Sequence, residues 1–175
     1  MEPPVSRPIP ESYWVVPGRF LAGEYPAHIQ IPDAAQRLNA FLQMGFTVFI
    51  NLTEEDELPP YDALLYEQAA EYGLQVRHIR FPIGDFGVPT PNTMKTTLDT
   101  IDKALADGEK IYLHCWGGGG RTGTTVGCYL VRHGHTGEEA LRQLAEWWHR
   151  VPKSAIHPTS PETDRQKEFI LQWKE

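Results

Sequence analysis

Four consecutive glycines, at positions 117–120, join an apolar run to a segment with helical character. Residues 110–115 have the pattern of a strand that is buried on both faces, and Arg121 begins a predicted helix. Glycine tolerates positive φ angles and close backbone approach, so this loop can turn its backbone amides toward one point. Strand, loop and helix together predict an α/β fold with a nest of amides that binds a tetrahedral anion.

Short β-rich runs alternate with helical patterns along the chain. Residues 46–52 and 76–81 are, like residues 110–115, predicted to be strands buried on both faces. Between the last two strands, apolar side chains recur at helical spacing: Met94, Leu98, Ile101 and Leu105. Thr90 is the expected N-cap of this helix, and Pro91 is its expected first residue. The alternation predicts a three-layer α/β/α fold around a central, mostly parallel β-sheet.

The end of the chain is predicted to be helical, with helices over residues 121–133, 136–149 and 161–173. Gly134 ends the first helix, and Thr136 with Glu139 has the capping-box pattern of the second. Ser160 and Pro161 are the expected start of the third helix. The strands therefore come first, and the C-terminal half of the fold is helical.

With 175 residues, 41% of them apolar, the chain has the length and composition of one globular domain. Residues 1–12 contain four prolines and no periodic pattern, which predicts an extended N-terminal arm. The single domain is predicted over residues 13–175. The sequence makes no prediction of the oligomeric state.

The net charge of −7 argues against a nucleic-acid partner, because such binding relies on neutralising many phosphates. No apolar stretch approaches the ~18 residues of a membrane span, and the first residues lack the pattern of a signal peptide. We therefore expect a cytoplasmic protein without membrane insertion. Its two cysteines, Cys115 and Cys128, are too few for a disulfide framework or a zinc cluster.

Cys115 lies where the predicted strand enters the glycine loop, and this position suits a nucleophile. The loop amides and the N-terminus of the following helix favour the thiolate form of its side chain. Arg121 can place its planar guanidinium on two oxygens of a phosphoryl group and stabilise the transition state. Thr122 can donate a hydrogen bond to the sulfur when it leaves, and His114 can orient the loop.

The run HCWGGGGRT, residues 114–122, resembles the HCxxGxxR signature, followed by Ser or Thr, of the cysteine-dependent protein tyrosine phosphatase superfamily. The upstream segment FPIGDFGVP resembles the acid loop of that family, which implies Asp85 as general acid and base. The resemblance to dual-specificity members extends from about residue 13 to residue 173. It implies that Gln166, in the segment SPETDRQ, positions the hydrolytic water. It also implies that no metal and no cofactor take part.

The groups expected to surround the substrate come from the loop and from the end of the chain: Trp116, Gly117, Gly118, Gly119, Gly120, Arg121, Gln166 and His157. The resemblance also implies that Lys153 and Arg150, which precede the last helix, lie near the phosphate pocket. Trp116 and the neutral glycines stand where inositol-lipid phosphatases of this family often carry lysines. This difference argues against highly phosphorylated lipids as substrates.

Two other kinds of domain share part of this sequence pattern. Gly118, Gly120 and Gly123 match the GxGxxG pattern of a dinucleotide-binding loop, but the pattern comes too late to leave room for the remaining strands. A rhodanese-like or arsenate-reducing domain also has a cysteine before a helix, yet it gives no reason for the loop around Asp85. Cys128 and Trp148 are predicted to be core residues without a role in the site. The acidic run 54–57 is assigned no function.

The sequence predicts a metal-independent phosphomonoester hydrolase that forms a phosphocysteine intermediate. Its expected partner is a phosphorylated protein, with phosphotyrosine as the main substrate and phosphoserine or phosphothreonine as further substrates. Two alternatives stay open. One is an enzyme that acts on small phosphates, such as inositol phosphates or nucleotides, and the other is a phosphate-binding module without turnover.

Overall fold

The computed structural model describes residues 5–175 and has a five-stranded sheet with the strand order β1-β2-β5-β3-β4. The strands are β1 Ser12–Val16, β2 Phe20–Gly23, β3 Val48–Asn51, β4 Arg77–Arg80 and β5 Ile111–His114. Strand β1 pairs antiparallel with β2, and the other three pairings are parallel. The predicted α/β fold with a mostly parallel sheet is confirmed.

Helices cover both faces of this sheet: α1 Ile31–Gln43, α2 Asp62–Glu71, α3 Pro91–Ala106, α4 Arg121–Arg132, α5 Gly137–His149, a short 3-10 helix Pro152–Ala155 and α6 Asp164–Gln172. Alternate strand residues belong to different core clusters. In β3, Val48 and Ile50 pack in the cluster that includes α3 to α6, whereas Phe49 packs with α1 and α2. This alternation produces the three layers, because successive strand side chains point to opposite faces.

The helix boundaries follow the predicted caps with one exception. The side chain of Thr90 accepts a hydrogen bond from the Thr93 amide at the start of α3, and Thr136 with Glu139 forms the capping box of α5. The predicted start of the last helix at residue 161 is wrong. Helix α6 begins at Asp164, because Thr163 and Gln166 form a second capping box that satisfies its first amides.

Two further expectations differ from the structure. Strand β4 was predicted to be buried on both faces, but Arg77 is exposed and the remaining β4 residues are half-buried, because β4 lies at the sheet edge. Strand β1 begins one residue before the predicted domain start. Within the predicted arm, residues 1–4 lie outside the described part of the chain, while Ile9 is buried and its carbonyl accepts a hydrogen bond from Ser12 Oγ at 2.6 Å.

Within residues 5–175, no helix has both the length and the apolar character that crossing a membrane requires.

Candidate active site

Cys115 follows strand β5, and its sulfur lies under the glycine loop. The residue is only 3% exposed. Its Sγ accepts hydrogen bonds from the Gly118 amide at 3.3 Å and from Thr122 Oγ1 at 3.1 Å. Both groups donate to the sulfur, so they would stabilise a negative charge that develops on it during a reaction.

Other segments of the chain hold the glycine loop by donating hydrogen bonds to its carbonyl groups. Three of them accept hydrogen bonds from other segments: Trp116 O from the Tyr25 amide at 2.9 Å, Gly117 O from Lys153 Nζ at 3.3 Å, and Gly119 O from Ser160 Oγ at 2.6 Å. Gly118 has a φ of +85°, and a Cβ at this position would lie 2.6 Å from the carbonyl carbon of Gly23. Only glycine can therefore adopt this conformation without displacing the backbone of β2.

Arg121, the first residue of α4, is 2% exposed and is held by a carboxylate from a distant loop. Its two terminal nitrogens donate to the two carboxylate oxygens of Glu57, each at 2.7 Å. The same guanidinium donates to Ile83 O at 2.8 Å and lies 3.2 Å from Asp85 Oδ1. These contacts fix the orientation of the guanidinium plane. Binding of a phosphate at two points requires a guanidinium that is oriented in this way.

Glu57 belongs to the acidic run 54–57, to which the sequence analysis assigned no function, and that interpretation is wrong for this residue. The hydrogen bonds from Arg121 lower the pKa of the Glu57 carboxyl, which keeps it ionised. One signal in the sequence could have identified it. Polar residues that follow the carboxyl end of a parallel strand, here β3, lie at the sheet edge where sites form.

Asp85 lies in the loop after β4, beside Arg121, and its side chain is 44% exposed. Its Oδ1 accepts a hydrogen bond from the Phe86 amide at 3.0 Å. Phe86 has a φ of +63°, which is uncommon for a bulky residue, and its ring is 61% exposed. The loop thus presents a carboxylate and an aromatic ring on the open side of the phosphate nest.

Gln166 is fully buried between the loop of Asp85 and the glycine loop. Its Oε1 accepts hydrogen bonds from the amides of Glu162 and Thr163, and its Nε2 donates to Gly87 O at 3.2 Å. A Cβ built on Gly120 would lie 3.1 Å from the same Nε2. The side chain is therefore near the predicted site, where it connects the start of α6 to the loop that carries Asp85.

His114 ends strand β5 and is completely buried. Its Nδ1 lies 2.9 Å from Cys115 O and its Nε2 lies 2.7 Å from Tyr61 Oη. A carbonyl can only accept, so Nδ1 carries the proton and Nε2 accepts from the Tyr61 hydroxyl. Burial lowers the pKa of His114 to about 3, so the ring is neutral. Tyr61 has no local motif in the sequence that would identify it.

A cavity of about 360 Å³ opens above the loop. It is lined by Asp85, Phe86, Trp116, Gly117, Gly119, Trp148, Lys153, His157 and Glu162. His157 and Lys153 therefore lie at the site, as the resemblance implied. Arg150 does not, because it lines a separate cavity beside Trp147 and the N-terminal segment. Trp116 is 55% exposed at the rim, whereas Trp148 is buried in the core.

Both cysteines are free thiols. Cys128 is fully buried on α4, and burial raises the pKa of its thiol, which makes it an unreactive core residue. Among residues 5–175, no three His, Cys, Asp or Glu side chains come together as a metal-binding group.

The comparisons with known proteins agree with this arrangement. The sequence model of the family described as "PTP-SAK: Swiss Army Knife protein, DSP-PTPase phosphatase domain" matches residues 10–170. The putative tyrosine phosphatase 067L of Invertebrate iridescent virus 3 is 32% identical over 125 residues, which are 69% of this chain and 46% of that protein.

Phosphatidylglycerophosphatase and protein-tyrosine phosphatase 1 of Homo sapiens is 32% identical over 101 residues, 57% of this chain and 48% of that protein. The chain thus spans less than half the length of these two curated relatives. The crystal structure of Tk-PTP in the active form has a TM-score of 0.66 and 26% identity, and the match covers 92% of this chain and 94% of that one. From its family match, its fold and its cysteine loop, the chain belongs to the cysteine-based tyrosine and dual-specificity phosphatases, as a DSP-PTPase phosphatase domain of the Swiss Army Knife group.

Proposed function

We propose that the protein hydrolyses phosphomonoesters through a phosphocysteine intermediate, with phosphotyrosine in proteins as its main substrate. The observation that carries the proposal is the convergence at one loop of a buried thiol, an oriented guanidinium and an aspartate. Cys115 has two donors on its sulfur, and Arg121 lies against both Glu57 and Asp85. No single one of these contacts is specific to phosphate chemistry; the proposal is supported by their combination at one loop.

In the first step, Cys115 Sγ attacks phosphorus and the bond from phosphorus to the leaving oxygen breaks. Asp85, in its protonated form, gives its proton to that oxygen. In the free protein Asp85 forms an ion pair with Arg121, and the phosphoryl oxygens replace it beside the guanidinium, so substrate binding frees the carboxyl group. Arg121 and the loop amides stabilise the charge of the transferring phosphoryl group.

In the second step, water attacks the phosphocysteine and the bond from phosphorus to sulfur breaks, which releases inorganic phosphate. Asp85 accepts the proton of the water. Thr122 Oγ1, which lies 3.1 Å from Cys115 Sγ, stabilises the departing thiolate. Gln166 positions the water from its place beside Gly120, with its amide oriented by the start of α6.

The residues at the rim of the cavity favour a substrate with an aromatic leaving group. Phe86 and Trp116 are large apolar side chains that are 61% and 55% exposed at the rim of the site. A phosphotyrosine ring would cover part of both surfaces, and aromatic pairs add stabilisation beyond the area they bury. The shorter side chains of phosphoserine and phosphothreonine reach the loop without this contact, so we expect slower turnover of these substrates.

A second candidate is hydrolysis of small phosphates that are not part of a protein. The name of the human relative, which includes phosphatidylglycerophosphatase, supports it. A panel of phosphotyrosine, phosphoserine and phosphothreonine peptides, inositol phosphates, phosphatidylglycerophosphate and nucleotides, compared by kcat/KM, separates the two. The highest value for a non-protein phosphate would refute the assignment of protein phosphotyrosine.

The reaction itself is tested with p-nitrophenyl phosphate in the presence of a chelator. Cys115→Ser should abolish turnover, while Cys128→Ala, which changes the other buried thiol, should keep it. Rapid quenching of the wild type should trap a phosphoprotein that Cys115→Ser does not form. Turnover by Cys115→Ser would refute the mechanism. Binding of phosphate by a wild type without turnover would instead support a phosphate-binding module.

A further inference from the structure

A buried polar turn follows strand β3 and leads to Glu57, which holds Arg121. Asn51, the last residue of β3, accepts hydrogen bonds on its Oδ1 from the Thr53 amide at 2.9 Å and from Thr53 Oγ1 at 2.6 Å. Asn51 and Thr53 are 3% and 1% exposed. The side chain of Asn51 therefore fixes the direction in which the chain leaves the sheet.

Arg80, the neighbour of Asn51 on strand β4, holds the same turn from the other side. One terminal nitrogen, Nη1, donates to Thr53 O at 2.8 Å, to Thr53 Oγ1 at 3.0 Å and to Glu54 O at 3.1 Å. Within residues 5–175 no carboxylate forms a salt bridge with Arg80. This nitrogen thus contacts two backbone carbonyls and one hydroxyl of the turn.

The turn leads directly to the carboxylate that holds Arg121. The Glu57 amide donates to Glu54 O at 3.1 Å, and the Glu54 amide donates to Glu57 Oε1 at 3.3 Å. A continuous series of hydrogen bonds thus runs from Arg80 through Glu54 and Glu57 to Arg121. Four consecutive acidic residues, 54–57, repel one another, and the positive charge of Arg80 offsets that repulsion.

We propose that Arg80 is a positioning residue for Arg121: it fixes the turn at residues 53–57, so that Glu57 holds the guanidinium in the plane that binds phosphate. The hydrogen bonds of Arg80 go to Thr53 and Glu54 and not to Arg121, so Arg80 acts on the guanidinium through Glu57. Without the hydrogen bonds of Arg80 to the turn, Glu57 could move. Arg121 would then sample orientations that bind phosphate at one point instead of two. The inference rests on the proposed function, because it assigns a role in the same site.

The experiment is a double-mutant cycle between Arg80→Met and Glu57→Gln. We measure kcat/KM for p-nitrophenyl phosphate and the Kd of inorganic phosphate by calorimetry. Arg80→Met should lower kcat/KM by about tenfold and weaken phosphate binding, since misalignment of a reacting group is strongly unfavourable. The double variant should differ from Glu57→Gln by less than about twofold, because both changes interrupt one series of contacts.

Arg77→Met is the matched control. Arg77 begins the same strand, but its guanidinium is exposed and pairs with Glu109 at 2.8 Å, away from the site. This variant should have wild-type kcat/KM and phosphate Kd. Arg80→Lys keeps the positive charge but not the planar fork, so its activity should lie between those of Arg80→Met and the wild type.

The outcomes separate this inference from the proposed function. Wild-type activity in Arg80→Met, or additive losses in the double variant, would overturn the role of Arg80. If the wild type does not hydrolyse p-nitrophenyl phosphate, the proposed function fails, and the cycle is then carried out on the phosphate Kd alone. Thermal unfolding is recorded for each variant; if Arg80→Met is unfolded, the folded Arg80→Lys decides, and unchanged phosphate binding in it refutes the proposal.

Discussion

Gly118→Ala is expected to disrupt the phosphate loop, and the structure allows the effect to be calculated. The residue has a φ of +85°, and an alanine in this left-handed region costs about 1–2 kcal/mol. The added Cβ would also lie 2.6 Å from the carbonyl carbon of Gly23 and 2.8 Å from the Glu24 amide nitrogen. Forced overpacking of this kind costs roughly 1–3 kcal/mol. The sum, about 2–5 kcal/mol, lowers the population of the observed loop by roughly 30-fold to several thousand-fold.

Phosphate binding measures this population directly. The Kd of inorganic phosphate, obtained by calorimetry, should rise by at least 30-fold in Gly118→Ala, with a parallel fall in kcat/KM. Gly73→Ala is the matched control, because Gly73 also has a positive φ, +65°, but lies between α2 and the start of β4, at the end of the sheet away from the phosphate loop. Its Kd should stay within about twofold of the wild type. Equal effects of the two substitutions, or a wild-type Kd in Gly118→Ala, would refute the reasoning.

Three other predictions concern the acid, the leaving thiolate and the ion pair. Asp85→Asn should lower kcat far more for an alkyl phosphate than for p-nitrophenyl phosphate, whose leaving group needs little protonation; equal losses would contradict the assignment. Thr122→Ala should slow breakdown of the phosphocysteine by about tenfold and produce a burst in rapid-quench kinetics, which Thr122→Ser restores. Because the pKa of Glu57 is lowered in the folded protein, its contribution to stability is complete above the unfolded pKa of about 4.3 and declines as the pH falls through the lower folded value. The difference in unfolding free energy between wild type and Glu57→Gln, measured in urea, should therefore be constant above about pH 5 and shrink below pH 4; a constant difference throughout would exclude this linkage.

The parts of the site that are local in sequence could be predicted without the structure. Cys115, Arg121 and Thr122 occupy one strand, loop and helix, and the geometry of that unit follows from the glycines and the cap of α4. Asp85 lies in a separate loop, yet that loop has its own motif. The fold class was predictable for the same reason, because each strand and helix has a periodicity that is visible within a few residues.

The parts that depend on distant contacts could not be predicted. Glu57 meets Arg121 across 64 positions of sequence, and only the order of strands β5 and β3 brings the two segments together. Strand β4 contains one apolar residue, Ile79, among Arg77, His78 and Arg80. Its place at the sheet edge follows from the strand order, and there Arg77 and Arg80 bind different partners. The prediction for the start of α6 was wrong for a local reason: Ser160 with Pro161 and Thr163 with Gln166 are competing start signals, and the hydrogen bonds of the Thr163–Gln166 capping box favour the later one.

The neutral state of His114 limits how a pH-rate profile of this protein can be interpreted. An ordinary imidazole gains or loses a proton between pH 5 and 8. An inflection of the pH-rate profile in that interval would therefore be assigned first to a histidine next to the nucleophile. With a pKa of about 3, His114 keeps one tautomer over that whole interval. An inflection of the profile near neutral pH must then come from another group. The neutral imidazole connects the Tyr61 hydroxyl and the Cys115 carbonyl by hydrogen bonds that do not change in that interval.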